Sequence, residues 1–371
     1  MSTYVGVSNI ARKIKKFYVG VDGVARTIKK LYIGVAGVAR LIWSSMTTLS
    51  YYGALTDLTS GGEYIYGDGA SWIGNYTLIT GGYNSGYFNT VNAFNSSFVK
   101  SNPTALILAR YQLAACKNDS YAIFAGGVTT GNQSYVDAYN SALTRVNPTT
   151  LSESRFGCKG SNIGVYALIT GGSVSGTAVA TVDAYNTSLT RSIPTTLSES
   201  KVSHMAAKNG SYAIFAGGTS SGSRSSVVNA YNSSLVRTIP TALSAAISEG
   251  AGCTLGNYAI FAGGRDNSGS VSTVNAYNAS LVRTVLTNLS IDRYGLAGAN
   301  TDDYALFAGG YSYSTSNYSA IVDTYDSNLV KGTITSLQGA RSLLVGTGHN
   351  NKIIFAGGRN GVLKVDAYQA A

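Results

Sequence analysis

The stretch SYAIFAGG occupies Ser120–Gly127 and returns unchanged at Ser211–Gly218. Its apolar residues fall on both alternating faces, which suits a β-strand covered on both sides. Two glycines close it, where a backbone without a Cβ turns tightly. Related runs, YTLITGG, YALITGG, YALFAGG and KIIFAGG, place the first glycine of the pair at Gly81, Gly126, Gly171, Gly217, Gly263, Gly309 and Gly357. The steps are 45, 45, 46, 46, 46 and 48 residues, so the phrase marks a repeated structural unit.

Outward from each Gly-Gly comes a polar Ser/Gly/Asn stretch, then TVNAFN, YVDAYN, TVDAYN, VVNAYN, TVNAYN, IVDTYD or KVDAY. Six copies continue with SSFVKS, SALTRV, TSLTRS, SSLVRT, ASLVRT or SNLVKG. With the segment leading into the next Gly-Gly run, each repeat predicts four short strands, a to d from inside outward, the Gly-Gly run being b. Four strands recurring at this period predict a propeller blade. The seventh copy stops at VDAYQAA without a strand d, while YYGALTDLT (Tyr51–Thr59) stands unmatched near the start. The expectation is therefore an all-β, seven-bladed propeller whose N-terminal strand completes the last blade and shuts the ring. A linear stack would need polar end caps, and the sequence shows none.

The apolar run closed by Gly-Gly, with a Tyr on the following strand, resembles the kelch repeat over about residues 50–371. The resemblance implies kelch-like, seven-bladed geometry. It departs from the kelch pattern beyond the Tyr, where Leu-Val/Thr-Arg/Lys stands in place of the kelch Trp, so it carries no adaptor function with it.

Residues 1–45 read as a separate segment from the propeller of 46–371. They repeat with a period of 14: YVGVSNIARKIKKF, YVGVDGVARTIKKL and YIGVAGVARLIWSS. The central dipeptides Ser8-Asn9, Asp22-Gly23 and Ala36-Gly37 between β-branched residues predict short hairpins. The segment holds eight of the 27 Lys and Arg against one of the 17 acids, leaving 19 and 16 to the other 326 residues. The basic balance thus belongs mainly to this segment. Three such units are too small to bury a core alone, so packing across chains or against another protein is expected. The motif resembles N-terminal modules of phage and prophage structural proteins of the tail or fibre. That resemblance implies an attachment and oligomerisation module, with Arg12, Lys13, Lys15, Lys16, Arg26, Lys29, Lys30, Arg40 and Trp43 as attachment candidates. A solvated strand face explains the same cations equally well. Sparse aromatic interleaving speaks against nucleic acid as the partner.

Composition excludes several classes. The 371 residues contain no apolar run long enough for a spanning helix and no secretory leader, so no membrane insertion is expected. The cysteines, Cys116, Cys158 and Cys253, form an odd set without CxxC spacing and read as buried apolar residues. With two histidines, His204 read in strand a of the fourth blade and lining the channel, and His349 in an a–b turn, no metal site is expected. The position before Ala-Tyr or Thr-Tyr alternates between acid and amide: Asn92, Asp137, Asp183, Asn229, Asn275, Asp323 and Asp366. That exchange indicates hydrogen bonding rather than acid–base chemistry. Glu153, Glu199 and Glu249 read as turn residues or surface partners of Arg155 and Lys201. The recurrent strand-d cation (Lys100, Arg145, Arg191, Arg237, Arg283, Lys331) reads as a guard against edge pairing. Neither a cofactor nor an enzymatic activity is expected.

The b–c loops vary, and in a propeller they share one face with the d–a connections. Tyr83, Tyr87, Phe88, Tyr135, Tyr311, Tyr313 and Tyr318, together with Arg359, are the candidates for a binding face around blades 1, 2, 6 and 7. Tyr among Ser, Gly and Asn makes an adaptable contact surface suited to sugars or proteins. The functional expectation is a non-enzymatic structural or fibre protein of a phage or phage-like particle. It would be made in the bacterial cytoplasm and located in the virion, as a homo-oligomer attached to other virion proteins and presenting a face to host-surface glycan or protein. The alternative is a cytoplasmic kelch-type protein-interaction scaffold.

Overall fold

The computed structural model describes residues 48–58, 69–360 and 363–370, and among the first 47 residues only the strand backbones given below. The chain divides into two compact units, Met1–Thr48 and Leu49–Ala370.

In the first unit, Tyr4–Val7 pairs with Ile10–Lys13, Phe17–Val21 with Val24–Ile28, and Lys30–Val35 with Val38–Ser44, each antiparallel. The 14-residue period is kept in the register, with Val5 opposite Arg12, Val19 opposite Arg26 and Ile33 opposite Arg40. Lys30 and Trp43 lie on the third hairpin and Lys13 on the first. Lys15, Lys16, Lys29 and the central dipeptides lie outside the described residues.

The second unit is a seven-bladed β-propeller. Blade 2 shows the plan: strand a is Ala114–Lys117, b Ala122–Ala125, c Val136–Tyr139 and d Arg145–Val146, paired antiparallel in that order. Blade 1 spans Gly69–Ser101, blade 3 Lys159–Ser192, blade 4 Met205–Thr238, blade 5 Ala251–Val285 and blade 6 Ala297–Ile334. Blade 7 takes its strands a to c from Val345–Ala370 and its outermost strand from Leu49–Ala54.

Why the b strands are apolar on both faces is visible in the packing. In blade 5, Ile260 and Ala262 lie in the cluster shared with Phe307 and Tyr325 of blade 6. Ala259 and Phe261 lie in the cluster shared with Ile214 and Ala216 of blade 4. Every strand is sandwiched between neighbouring sheets, so alternate side chains enter different cores. Seven such clusters lie at the seven blade interfaces, and the one joining Ile354 and Val365 to Ile79 and Phe94 seals blade 7 against blade 1.

The glycine pair answers a close approach. The first glycine has φ between 56° and 74° and the second between 101° and 110° in all seven copies. A Cβ on Gly126 would lie 2.6 Å from the Arg155 carbonyl, while the Gly127 N–H donates to that same oxygen at 3.0 Å. The segment entering blade 3 thus crosses the end of strand b of blade 2, where no side chain fits. A second crowding point lies on the axis, where the inner strands converge. A Cβ on Gly160 would come within 2.4 Å of the Ala115 carbonyl, and one on Gly252 within 2.1 Å of the Ala206 carbonyl.

The buried Tyr of strand c has a repeated task. Tyr139, Tyr185, Tyr231, Tyr277 and Tyr325 donate their hydroxyls to the carbonyls of Thr104, Thr149, Thr195, Thr241 and Thr287 in the connection entering their own blade. Tyr368 does so to Thr335. Blade 1 carries Phe94 there instead.

Candidate binding face

The b–c and d–a connections meet on one face through short bridges: Tyr111 with Val128, Phe156 with Ser173, Val202 with Thr219, Ser248 with Arg265, Tyr294 with Tyr311 and Ser342 with Arg359. In blades 3 to 6 the b–c loop rises as its own two-stranded ribbon, Ser173–Val174 with Thr177–Ala178 being the first of four. These ribbons hold the loop tips on paired backbone.

The sequence-predicted tyrosines gather in two separate groups. On blades 1 and 2, the Tyr83 ring lies 5.4 Å from Tyr87 and 5.1 Å from Tyr111, with Tyr87 and Tyr111 stacked at 5.9 Å. On blades 5 and 6, Tyr294 and Tyr313 stack at 5.2 Å with 17° between planes, and Tyr311 meets both Tyr313 at 5.7 Å and Tyr318 at 5.2 Å. Arg265 lies over the Tyr294 ring at 5.2 Å and pairs with Glu249 at 2.5 Å. Tyr135 and Arg359 are exposed, and Phe88 is half-buried; none of them joins either ring group. Tyr111 and Tyr294 belong to d–a connections, which the loop comparison passed over. Their signal was the step of one blade that separates a d–a residue from the b–c loop it bridges.

The second group is electrostatically organised. Burial opposes the charge of Asp292, yet hydrogen bonds from Ser270, Ser314 and Ser312 hold its carboxyl below the ordinary range. Burial, then the hydrogen bond to Tyr313, pushes the Tyr294 phenol up to about 12. Tyr313 is held below the ordinary phenol value, first by Tyr294 and then by Arg265. Tyr313 is 46% exposed, so this platform faces solvent.

Beneath the face lies a set of groups that the sequence reading missed. Arg110, Arg155, Arg293 and Arg341 are fully buried and meet Asp137, Asp183, Asp323 and Asp366 at 2.7, 2.7, 2.6 and 2.6 Å. The same carboxylates accept a backbone N–H, from Ile107, Ser152, Ser290 and Gln338. Where the repeat carries Asn229 or Asn275, only that backbone bond recurs, from Ser198 or Ser244, and the arginine position holds Lys201 or Ile247. Hydrogen bonding is therefore common to both forms, and the choice between Asp and Asn follows the partner cation. The readable signal was internal: Asp occurs with Arg 25 to 30 residues earlier, Asn without it.

Other expectations are corrected by the geometry. Arg155 and Lys201 are not surface partners: both are buried, and Lys201 donates to the Val227 carbonyl at 2.7 Å with Glu199 at 3.4 Å. His204 precedes strand a and is fully buried, its Nε2 2.9 Å from the Thr170 hydroxyl, instead of lining the channel. His349 ends strand a of blade 7, where a turn was expected. The strand-d cations tie their strand to the connection entering the same blade, as Arg191 does to the Thr150 carbonyl at 2.5 Å and Arg283 to Ala242 at 2.9 Å. The three cysteines are buried and free, and burial pushes the Cys116 and Cys253 thiols up to about 12. The Asn95, Asn186 and Asn232 side chains each accept two backbone N–H groups in the c–d turn, which is turn chemistry. Among the described residues no group of three or more His, Cys, Asp or Glu is placed to hold a metal ion. No described helix is long and apolar enough to cross a membrane.

Comparison with known proteins adds a fold likeness. No known protein family matches the chain, and no curated protein matches it. A solved structure described as the structure of YjhT superposes with a TM-score of 0.60 at 12% identity, covering 76% of this chain and 99% of its own. Likeness at that identity concerns the propeller architecture alone.

Proposed function

We propose that this chain is a non-enzymatic binding component of a phage or phage-like particle. In this reading the basic hairpins of residues 4–44 dock it to other structural proteins, and the propeller presents its b–c/d–a face to a host-surface or partner molecule. The observation that carries the binding role is the Tyr294–Tyr313 platform with Arg265 and Asp292, where aromatic plates and oriented polar groups sit at the solvent-facing rim of blades 5 and 6. Rigid aromatic area of this kind makes contact energy at low entropic cost. The non-enzymatic part rests on the buried carboxylates, each engaged by an arginine or a backbone N–H instead of facing a cleft. The particle role rests on the likeness of the 14-residue repeat to phage structural modules.

The test uses the full chain, fluorescently labelled, against host cells and isolated envelope polysaccharide. Saturable binding that falls with Tyr313→Ala and Tyr294→Ala supports the reading. Immunogold imaging of intact particles with no label on them overturns the particle assignment.

A further inference from the structure

The opposite end of the propeller carries chemistry that the loop face does not use. The axial channel, about 190 Å³, is lined by the small inner-strand residues and by one charged side chain, Lys159. At its a–b end, Lys117 closes strand a of blade 2, Lys208 closes strand a of blade 4, Trp72 lies near the end of blade 1 and His349 ends blade 7. The His349 ring stacks on Trp72 at 3.8 Å and 16°, and the Lys117 ammonium lies 4.1 Å from the centroid of the same indole. A ring stacked that closely covers one face, so the ammonium occupies the other, and Lys117 is held in a fixed position.

Lys117 and Lys208 are half-buried. Among the described residues neither has a carboxylate within ion-pair distance, in contrast to the arginines under the loop face. Lys208 is close enough for its charge to disfavour protonation of Lys117, adding to burial. Asp119 acts on both lysines and Asp302 on His349, but both carboxylates are exposed on turns, where water screens them. Burial and Lys117 hold His349 below its ordinary value, so the imidazole is neutral and adds a polar wall without a third charge. Two partly desolvated ammonium groups of like charge raise each other's free energy, and an anion between them relieves both terms.

We propose that the a–b mouth of the channel is a binding site for a small oxyanion of the phosphate class, held between Lys117 and Lys208 beside the Trp72–His349 stack. This site lies on the other end of the blades from the proposed receptor face and stands independently of it.

Trp72 is a built-in reporter, because the chain has only two tryptophans. In full-length protein carrying Trp43→Phe, fluorescence is titrated with inorganic phosphate, with a sugar phosphate and with sodium chloride at matched ionic strength; calorimetry provides a second readout. The expected result is a saturable response to phosphate that chloride does not reproduce, weakened about tenfold or more by Lys117→Met or Lys208→Met. Tighter binding of the sugar phosphate identifies an organic source, and equal binding identifies the free ion. Thermal melts confirm that the two half-buried substitutions leave the fold intact. A response that chloride matches, or that survives both substitutions unchanged, overturns the site.

Discussion

The Tyr51 hydroxyl donates to Asp366 at 2.8 Å across 315 residues of sequence. Tyr51 stands opposite Tyr368 in the outer strand of blade 7, as Arg145 stands opposite Tyr139 in blade 2. It therefore takes the place of the strand-d cation at the one blade assembled from both ends of the unit. The same closure continues beyond it. Leu58 N–H donates to the Leu363 carbonyl at 2.9 Å, just as Leu106 does to Asn89 and Leu151 to Ser134 in ordinary connections. Lys100 of blade 1 reaches the Asp57 carbonyl at 2.6 Å. Tyr51→Phe is expected to lower stability by about 1 kcal/mol, since Asp366 keeps Arg341 and the Gln338 N–H. Removing residues 1–58 exposes the edge of Val365–Ala370 and is expected to abolish the cooperative transition. Denaturant melts followed by circular dichroism measure both.

The pairing of Asp with Arg makes a swap experiment. Asp183→Asn leaves the fully buried Arg155 charge without its partner and is expected to cost about 3–5 kcal/mol. Asn275→Asp, at a repeat whose arginine position is Ile247, is expected to destabilise by introducing an unpaired carboxylate. Adding Ile247→Arg to Asn275→Asp is expected to recover stability, with a coupling of about 1 kcal/mol or more. Urea titrations of the four variants close the cycle, and additive losses would argue against the rule.

Lys201 gives a pH signature. Burial lowers its pKa to about 8, only partly opposed by Glu199. Its folded value lies below the ordinary lysine value, so above pH 8 the native state releases a proton that the unfolded chain still holds. Stability contributed by this site therefore rises between about pH 8 and the ordinary lysine pKa of about 10.4. Burial raises the strand-c tyrosines, which act in the opposite direction at higher pH, since the unfolded phenols ionise first. The difference between wild type and Lys201→Met isolates the lysine. That difference curve, from melts at closely spaced pH, should climb through the window and be flat below it.

For the loop face, Tyr294→Ala and Tyr313→Ala are each expected to weaken ligand binding by about 1–3 kcal/mol. Exposed Tyr135→Ala is expected to change it little. Stability should stay within about 0.5 kcal/mol for Tyr313→Ala, whose ring faces solvent. Equal loss at Tyr135 and Tyr313 would redirect attention to the blade 1–2 group around Tyr83.

Much of this architecture was legible because repetition multiplies weak local signals. The Gly-Gly period specified blade count, and the unmatched YYGALTDLT specified closure, since a sheet edge left open at one terminus needed the strand left over at the other. What escaped were relations between neighbouring repeats. Arg110 and Asp137 belong to one blade but are separated by its first two strands. Tyr111 and Val128 touch because a connection runs over the end of the next strand b. A repeat-by-repeat reading aligns equivalent residues and is blind to the pairs formed between different columns of that alignment. His204 shows the same limit, because its position fills with Leu113, Cys158, Leu296 and Leu344 elsewhere, a core column that tolerates one polar member.

Arg155 offers its carbonyl to Gly127 of blade 2 and its guanidinium to Asp183 of blade 3, so a single residue rivets two neighbouring sheets. The rivets sit below the loop tips and are complete without them. Mutational drift in the tips is thereby uncoupled from the integrity of the wheel, which lets b–c loops as different as RNG and YSYSTSNYS share one chassis. A lineage confronting changing surfaces can explore new recognition chemistry there at small structural risk.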